Sequence, residues 1–427
     1  MHSLQRVGAA LLLLALAAPL QAQPRPPAAP PPTGPTTGPG SGTAPSTGPG
    51  VTRPYGSEPP APTEVGGKTL PQWKLELTSG DSYVRAKAIG SVVHFGPAAA
   101  EVVPLLTQRC EDRDVSPRTK AVIALRLIRA AEKDRPKVVD ALSKRLWTGL
   151  TGSEAQAIVR YEAARTLLFY ATLDPTLIRP VLAAVVKGAD DPSCCEARHV
   201  CLQVLRLGGR DKAKGPDPRA TNALLKALRD PTGDVRLEAI LGLGAMGRPT
   251  DPALLAKVIS NLQQVLYSRD RVQVMWGHVA LLAMDDKLAP AALKALARYL
   301  ESSDMKVRAE GAHVLGAIGP QAKSCVPALL KHLTDKEPVA INASAALAAI
   351  KDDSPRVLDA LIKQLERKEP AVVAAACLAM SELGVSNRQM LQALQAAADK
   401  PGIDKELKAI IQGTLDHFSK PKAKATP

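Results

Sequence analysis

From about Lys68 to Phe418 the chain repeats one alternation: apolar residues recur every three to four positions over segments of about 10–16 residues, and short polar turns part them. Such spacing gives each segment a helix with one apolar stripe. Two kinds of segment take turns. One carries leucines four apart, as in ATNALLKAL (Leu224, Leu228), VPALLKHL (Leu329, Leu333) and VLDALIKQL (Leu361, Leu365). The other opens on an acidic residue followed by V-R-x-x-A: DSYVRAKA at Asp81–Ala88, DVRLEA at Asp234–Ala239, MKVRAEG at Met305–Gly311. Degenerate copies surround Arg118 and Arg160, while EPVAINA at Glu337 and EPAVVAAA at Glu369 keep the apolar phase and lose the arginine. Between Asp251 and Pro290 the arginine is displaced, and the unit is inferred from its neighbours.

The repeat has a countable period. Arg85 to Arg118 is 33 residues, Arg118 to Arg160 is 42, Arg236 to Arg308 is 72 (two units), Arg308 to Ala340 is 32 and Ala340 to Val373 is 33. Two helices in roughly 33–42 residues mark an all-α solenoid, in which each hairpin hides its apolar side only by stacking on the next. About ten hairpins fit between Leu70 and Phe418. Gly96, Gly208, Gly247, Gly319 and Gly384 fall where second helices should end, in keeping with the preference of helix C-termini for glycine. Pro97 and Pro320 bar continuation, and Pro104, Pro175, Pro252, Pro290 and Pro327 stand near the starts of first helices, where a missing N–H costs little.

The ends of the chain break the pattern. Arg6 precedes an apolar run, Val7–Leu20, too short to span a bilayer core comfortably, and small residues follow. That order reads as a secretory signal peptide over residues 1–22, cleaved after Ala22, with Ala15-Leu16-Ala17 as a second site and an uncleaved signal anchor as the alternative. Residues 23–66 are Pro-, Gly-, Thr- and Ser-rich, a disordered, extended leader that bears too little apolar surface to fold. The solenoid is expected over 67–418 and a basic, disordered tail over 419–427. The expected location is exported: periplasm, cell envelope or extracellular space, with no transmembrane span in the mature chain.

The D-x-V-R-x-x-A element, as in Asp234-Val235-Arg236-Leu237-Glu238-Ala239, and exits such as Ile318-Gly319-Pro320 resemble HEAT repeats, in the short form also found in phycobilisome lyases and here of an exported bacterial type. No T-P-L-H-x-A of ankyrin repeats and no W-x-x-L-G-x-x-Y of tetratricopeptide repeats is present. The resemblance implies that Asp81, Arg85, Arg118, Asp234, Arg236 and Arg308 belong to a structural Asp/Arg ladder along the stack. The physics agrees: an acid suits a helix N-terminus, and arginine can bridge to a neighbour bidentately.

Aromatics are 3% of the chain and its formal net charge is +14. The cations are spread along the sequence, so the charge either keeps the protein soluble or attracts an anionic polymer. Six cysteines in an exported chain invite disulfides, but Cys194 and Cys201 on one helix stand about 10 Å apart, beyond the reach of a bridge. A vicinal Cys194–Cys195 bridge is the remaining intrachain option among them. Cys195 and His199 share a helical face and could hold a metal, yet no second ligand pair answers them. No GxSxG, HExxH, P-loop or dinucleotide fingerprint occurs, and no cofactor or catalytic residue is assigned. The expectation is a non-catalytic scaffold for an unknown protein partner. One alternative is a polyanion or nucleic-acid binder with a basic concave face, which the export signal and scarce aromatics disfavour. The other is a lyase-like enzyme, as the resemblance to phycobilisome lyase repeats implies.

Overall fold

The structure, a computed structural model, describes residues 62–147 and 154–419. The expected signal segment with Ala22, most of the leader and the tail beyond Ser419 lie outside the described residues. Ten helical hairpins are present among those described. They are α1 (Leu70–Glu76) with α2 (Ser82–Val92), α3 (Val103–Arg109) with α4 (Val115–Ile128), α5 (Arg135–Ser143) with α6 (Ala157–Leu173), α7 (Leu182–Gly188) with α8 (Cys195–Gly208) and α9 (Pro218–Ala227) with α10 (Gly233–Met246). Then come α11 (Pro252–Val265) with α12 (Arg271–Met284), α13 (Ala289–Tyr299) with α14 (Met305–Ile318), α15 (Val326–Lys331) with α16 (Glu337–Ile350), α17 (Pro355–Gln364) with α18 (Pro370–Leu383) and α19 (Arg388–Ala398) with α20 (Lys405–Ser419). The even-numbered helices stack one on the next along the array, whereas the odd-numbered helices touch each other sparsely. In a curved two-layer stack the more closely packed layer is the inner one, so the second helices form the inner face.

Local chemistry explains the boundaries. Asp81, Asp217, Asp251, Asp270 and Asp304 cap helices by accepting hydrogen bonds from backbone amides. Proline stands in the first turn of most odd-numbered helices. Gly319 ends α14 at φ 70°, a conformation that side-chain-bearing residues resist. Gly208 is the last residue of α8, as expected, but without a positive φ; a Cβ there would meet Ile178 at 2.5 Å, so packing and not a turn demands glycine.

The fold also starts earlier than expected. Residues 62–66, assigned to the leader, enter a two-residue antiparallel ladder of β1 (Glu64–Val65) with β2 (Lys68–Thr69). Trp73 lies beneath it, 1% exposed, and its indole N–H donates to the Val65 carbonyl at 2.8 Å. A second ladder, β3 (Arg210–Asp211) with β4 (Gly215–Pro216), joins α8 to α9. Strands this short leave no alternation in the sequence.

Ser82–Arg109 is long and apolar enough by composition to cross a membrane. It is not one rod. The run breaks at Gly96 (φ 57°) before Pro97, and Ile89, Val92, Phe95, Val102 and Leu106 are buried in the solenoid core. That core has two parts. One reaches from Trp73 to Met284 and the other from Met275 to Leu415, so the seam between them runs through α12.

Candidate interaction surface

The fourth residue after the N-cap of each second helix faces the turn of its own hairpin and the turn of the next. In α2 to α10 it is always arginine: Arg85, Arg118, Arg160, Arg198 and Arg236. Each donates Nη1 to carbonyls of its own inter-helix turn, as Arg85 does to Ser79 and Gly80 and Arg160 to Glu154 and Ala155. Those carbonyls would otherwise lack partners near a helix end. In the first four, the rest of the guanidinium grips a carboxylate of the following hairpin. Arg85 holds Asp112 through two bonds of 2.7 Å, Arg118 holds Glu154, Arg160 holds Asp191, and Arg198 holds Asp230 at 2.7 and 2.9 Å. The acids are braced in turn, since Asp112, Glu154, Asp191 and Asp230 each accept a backbone N–H two residues ahead. Burial pushes the Asp112 carboxyl up, but Arg85 and the Asp114 amide together hold it below the usual range. Asp191 behaves alike with Arg160 and Ser193.

This geometry amends the expected ladder. Arg85, Arg118 and Arg308 bridge successive hairpins, the last to Asp335 at 2.7 and 2.8 Å. Asp81 does not pair with an arginine; it caps its own helix, accepting from the Tyr83 amide. Asp234 sits exposed in the first turn of α10, and its backbone carbonyl, not its carboxylate, meets His199. Among the described residues Arg236 binds the carbonyls of Asp230 and Pro231 and no carboxylate. Sequence reading missed Arg160 and Arg198 as rungs and all the true acids. A signal was there: in the first four joints the acid lies six or seven residues before the next arginine, as Asp112 before Arg118 and Asp191 before Arg198. The position is Val274 in α12, Ala340 in α16 and Val373 in α18.

Most residues two, six, nine and thirteen places after the N-caps of the second helices are at least partly exposed, whereas Glu162, Val200 and Glu238 at these places are buried. On α2 these places hold Tyr83, Lys87 and Gly90, with His94 just past its end, on α4 Ser116, Lys120, Ile123 and Leu127, on α6 Ile158, Glu162, Arg165 and Phe169. Glu162 is buried between Arg126 and Arg165 at 3.0 Å from each, so the local balance is basic. Tyr83, Leu127 and Ile158 stand 75%, 52% and 50% exposed. On α8 and α10 the sign turns with exposed Glu196 and Asp234 and buried Glu238. On α12 and α14, Trp276 donates to Glu310 at 2.8 Å and meets His313 edge-on. On α16 and α18 the face becomes small and apolar, with Ala345, Ala371 and Leu378.

Glu238 is the most perturbed carboxyl on this face. Burial pushes it up to about 7, and Arg206 and Gln203 draw it back only in part. Arg206 Nε lies 3.0 Å from Oε1, but neither atom makes a well-aligned hydrogen bond. His199, lowered by burial, contacts Gln203 and the Asp234 carbonyl rather than Cys195. All six cysteines are free thiols, Cys194 and Cys195 included. The hollow lined by Gly80, Arg85, Arg109 and Asp112 is occupied by the first rung.

Comparison with known proteins agrees with this architecture. A family model of HEAT repeats matches residues 326–413. Among solved structures, Kap95p in a structure concerned with RanGDP aligns at TM-score 0.50 and 13% identity, over 82% of this chain and 50% of that one. Importin beta, crystallised in an ammonium sulfate condition, aligns at TM-score 0.50 and 13% identity, over 81% of this chain and 51% of that one. The chain thus spans about half the length of those two. An engineered protein aligns at TM-score 0.43 and 21% identity, over 83% and 99% of the two chains. Identities this low speak for fold alone. No curated protein matches the sequence.

Proposed function

We propose that this HEAT-repeat protein is a non-catalytic scaffold that holds a protein partner against its inner layer of second helices. One observation carries the reading. Of seven exposed large apolar side chains among the described residues, five (Tyr83, Val115, Leu127, Ile158 and Leu173) lie on second helices. Contiguous exposed apolar surface with a polar surround favours a protein partner. Kap95p, a neighbour in fold, binds RanGDP. A polyanion finds less support, because the basic portion of the face gives way to Glu196, Asp234 and Glu238.

The apolar run behind Arg6 supports export, with cleavage after Ala22 and work in the periplasm or cell envelope. Cell fractionation with N-terminal sequencing tests this: a mature chain beginning at Gln23 is expected, and a cytosolic chain that keeps Met1 would refute it. For binding, a photoreactive side chain is placed at Ser116 or Ala345 on the inner face, or at Lys294 on a first helix. Protein crosslinks from an envelope extract should form from the inner positions. Equal crosslinking from Lys294, or none from any position, overturns the reading.

A further inference from the structure

The inner face is not uniform, and its first three helices have a chemistry of their own. Lys87 and Lys120 are exposed at equivalent positions on α2 and α4, and neither has an ion-pair partner among the described residues. Glu162, the carboxylate at the same position on α6, is already bound by Arg126 and Arg165. The same three helices also carry Tyr83, Leu127 and Ile158, each at least half exposed, and the partly exposed Ile123. We infer that α2, α4 and α6 form a docking surface for a short acidic segment of another protein, one that alternates carboxylates with apolar side chains. This deepens the scaffold reading and rests on it.

Charge complementarity picks out the occupant. Unpaired lysines favour carboxylates or phosphates, but water-exposed isoleucine, leucine and tyrosine gain only from apolar groups, which a nucleic-acid backbone lacks. The limits of the patch set its length. Neighbouring helices in such stacks lie 8–10 Å apart, so α2 to α6 is roughly 20 Å. An extended segment covers that in about six residues. A longer polyanion would continue over Glu196 and Asp234 at the exposed starts of α8 and α10 and be repelled there. An acidic, apolar segment of six residues or so would not reach them.

Fluorescence anisotropy on the full-length chain tests the inference with three probes. They are a labelled peptide of about ten residues that alternates glutamate with leucine and phenylalanine, its counterpart with serine at the apolar places, and an oligo(dT) of matched charge. The first should bind, and the other two roughly tenfold or more weakly. The double change Lys87→Glu with Lys120→Glu should weaken the first probe roughly tenfold, as should Leu127→Ser with Ile158→Ser, while Lys294→Glu on α13 leaves it unchanged. All these positions are exposed, so unaltered circular dichroism separates lost binding from lost folding. Oligo(dT) binding as tight as the peptide's, peptide affinity indifferent to both double variants, or no peptide binding overturns the inference. If the crosslinks of the full chain then come from Ala345 and not Ser116, the scaffold reading survives and this surface does not; if they come from neither, both fall.

Discussion

The stretch from α2 to α10 and the stretch from α12 to α20 solve the same stacking problem differently. In the first, each joint is clamped by an arginine that ties its own turn to the carboxylate of the next hairpin. In the second, such clamps are sparse, and small residues come into near contact at the α14–α16 joint: a Cβ on Gly316 of α14 would lie 2.9 Å from the Ala346 Cα of α16. Arginine is kept there at Arg308, and other links reach back to carbonyls, Arg367 to Leu333 and Asp335 and Lys400 to Leu365. A clamp fixes direction through hydrogen-bond geometry; close backbone approach gains dispersion contacts and fixes distance. One fold accepts either.

The contrast can be broken most sharply at Arg160, whose pair with Asp191 is 1% exposed on both sides. Arg160→Ala strands a buried carboxylate and should cost about 3–5 kcal/mol. Arg308→Ala, where both partners are 15% exposed, should cost clearly less, because water can reach the carboxylate it leaves. Urea melts that give equal losses would erase the distinction. On α14 as well, Gly316→Val overfills the α14–α16 contact and should cost about 1–3 kcal/mol; a neutral result would mean that joint is not closely packed.

Glu238 sharpens the comparison where the clamped stretch ends. Its folded-state pKa, about 7, is above the ordinary value of 4.5. The folded protein therefore holds this proton more tightly than the unfolded chain, and stability falls as pH rises from about 4.5 to about 7. Glu238→Gln should raise stability by about 1–3 kcal/mol at pH 8 and change little near pH 4. A gain of equal size at both pH values would assign the effect to packing. The smallest expected effect concerns coupling. Native-state hydrogen exchange should divide into two protection classes meeting at α12, where the core seam lies and Val274 replaces the arginine. A single class throughout would join the two regions.

Much of this was legible beforehand. The helix-helix period, the first-turn prolines and the weak unit at Asp251–Pro290 follow from spacing alone, and that unit is where the seam falls. Arg85, Arg118 and Arg308 were legible because they sit in the repeated element or a copy of it, whereas Arg198 follows Ala197 in a segment that has lost the pattern. Their partners were not: Asp112 stands 27 residues beyond Arg85 and Glu154 36 beyond Arg118, in turns whose lengths vary. Nearby acids such as Asp81 were better matches by eye but are engaged by local amides. The inner-face charge change was hidden for another reason. It appears only when equivalent positions of successive helices are laid side by side, and the overall +14 conceals it.

The change at α12 from a clamped stretch to one largely without clamps also has a mechanical consequence. The array behaves as two springs in series, each with its own stiffness, joined by a softer coil at α12. Tension applied to the ends would be shared equally, but elongation would not: the coil between Arg236 and Arg308 would open first, leaving the basic, apolar portion of the inner face undistorted.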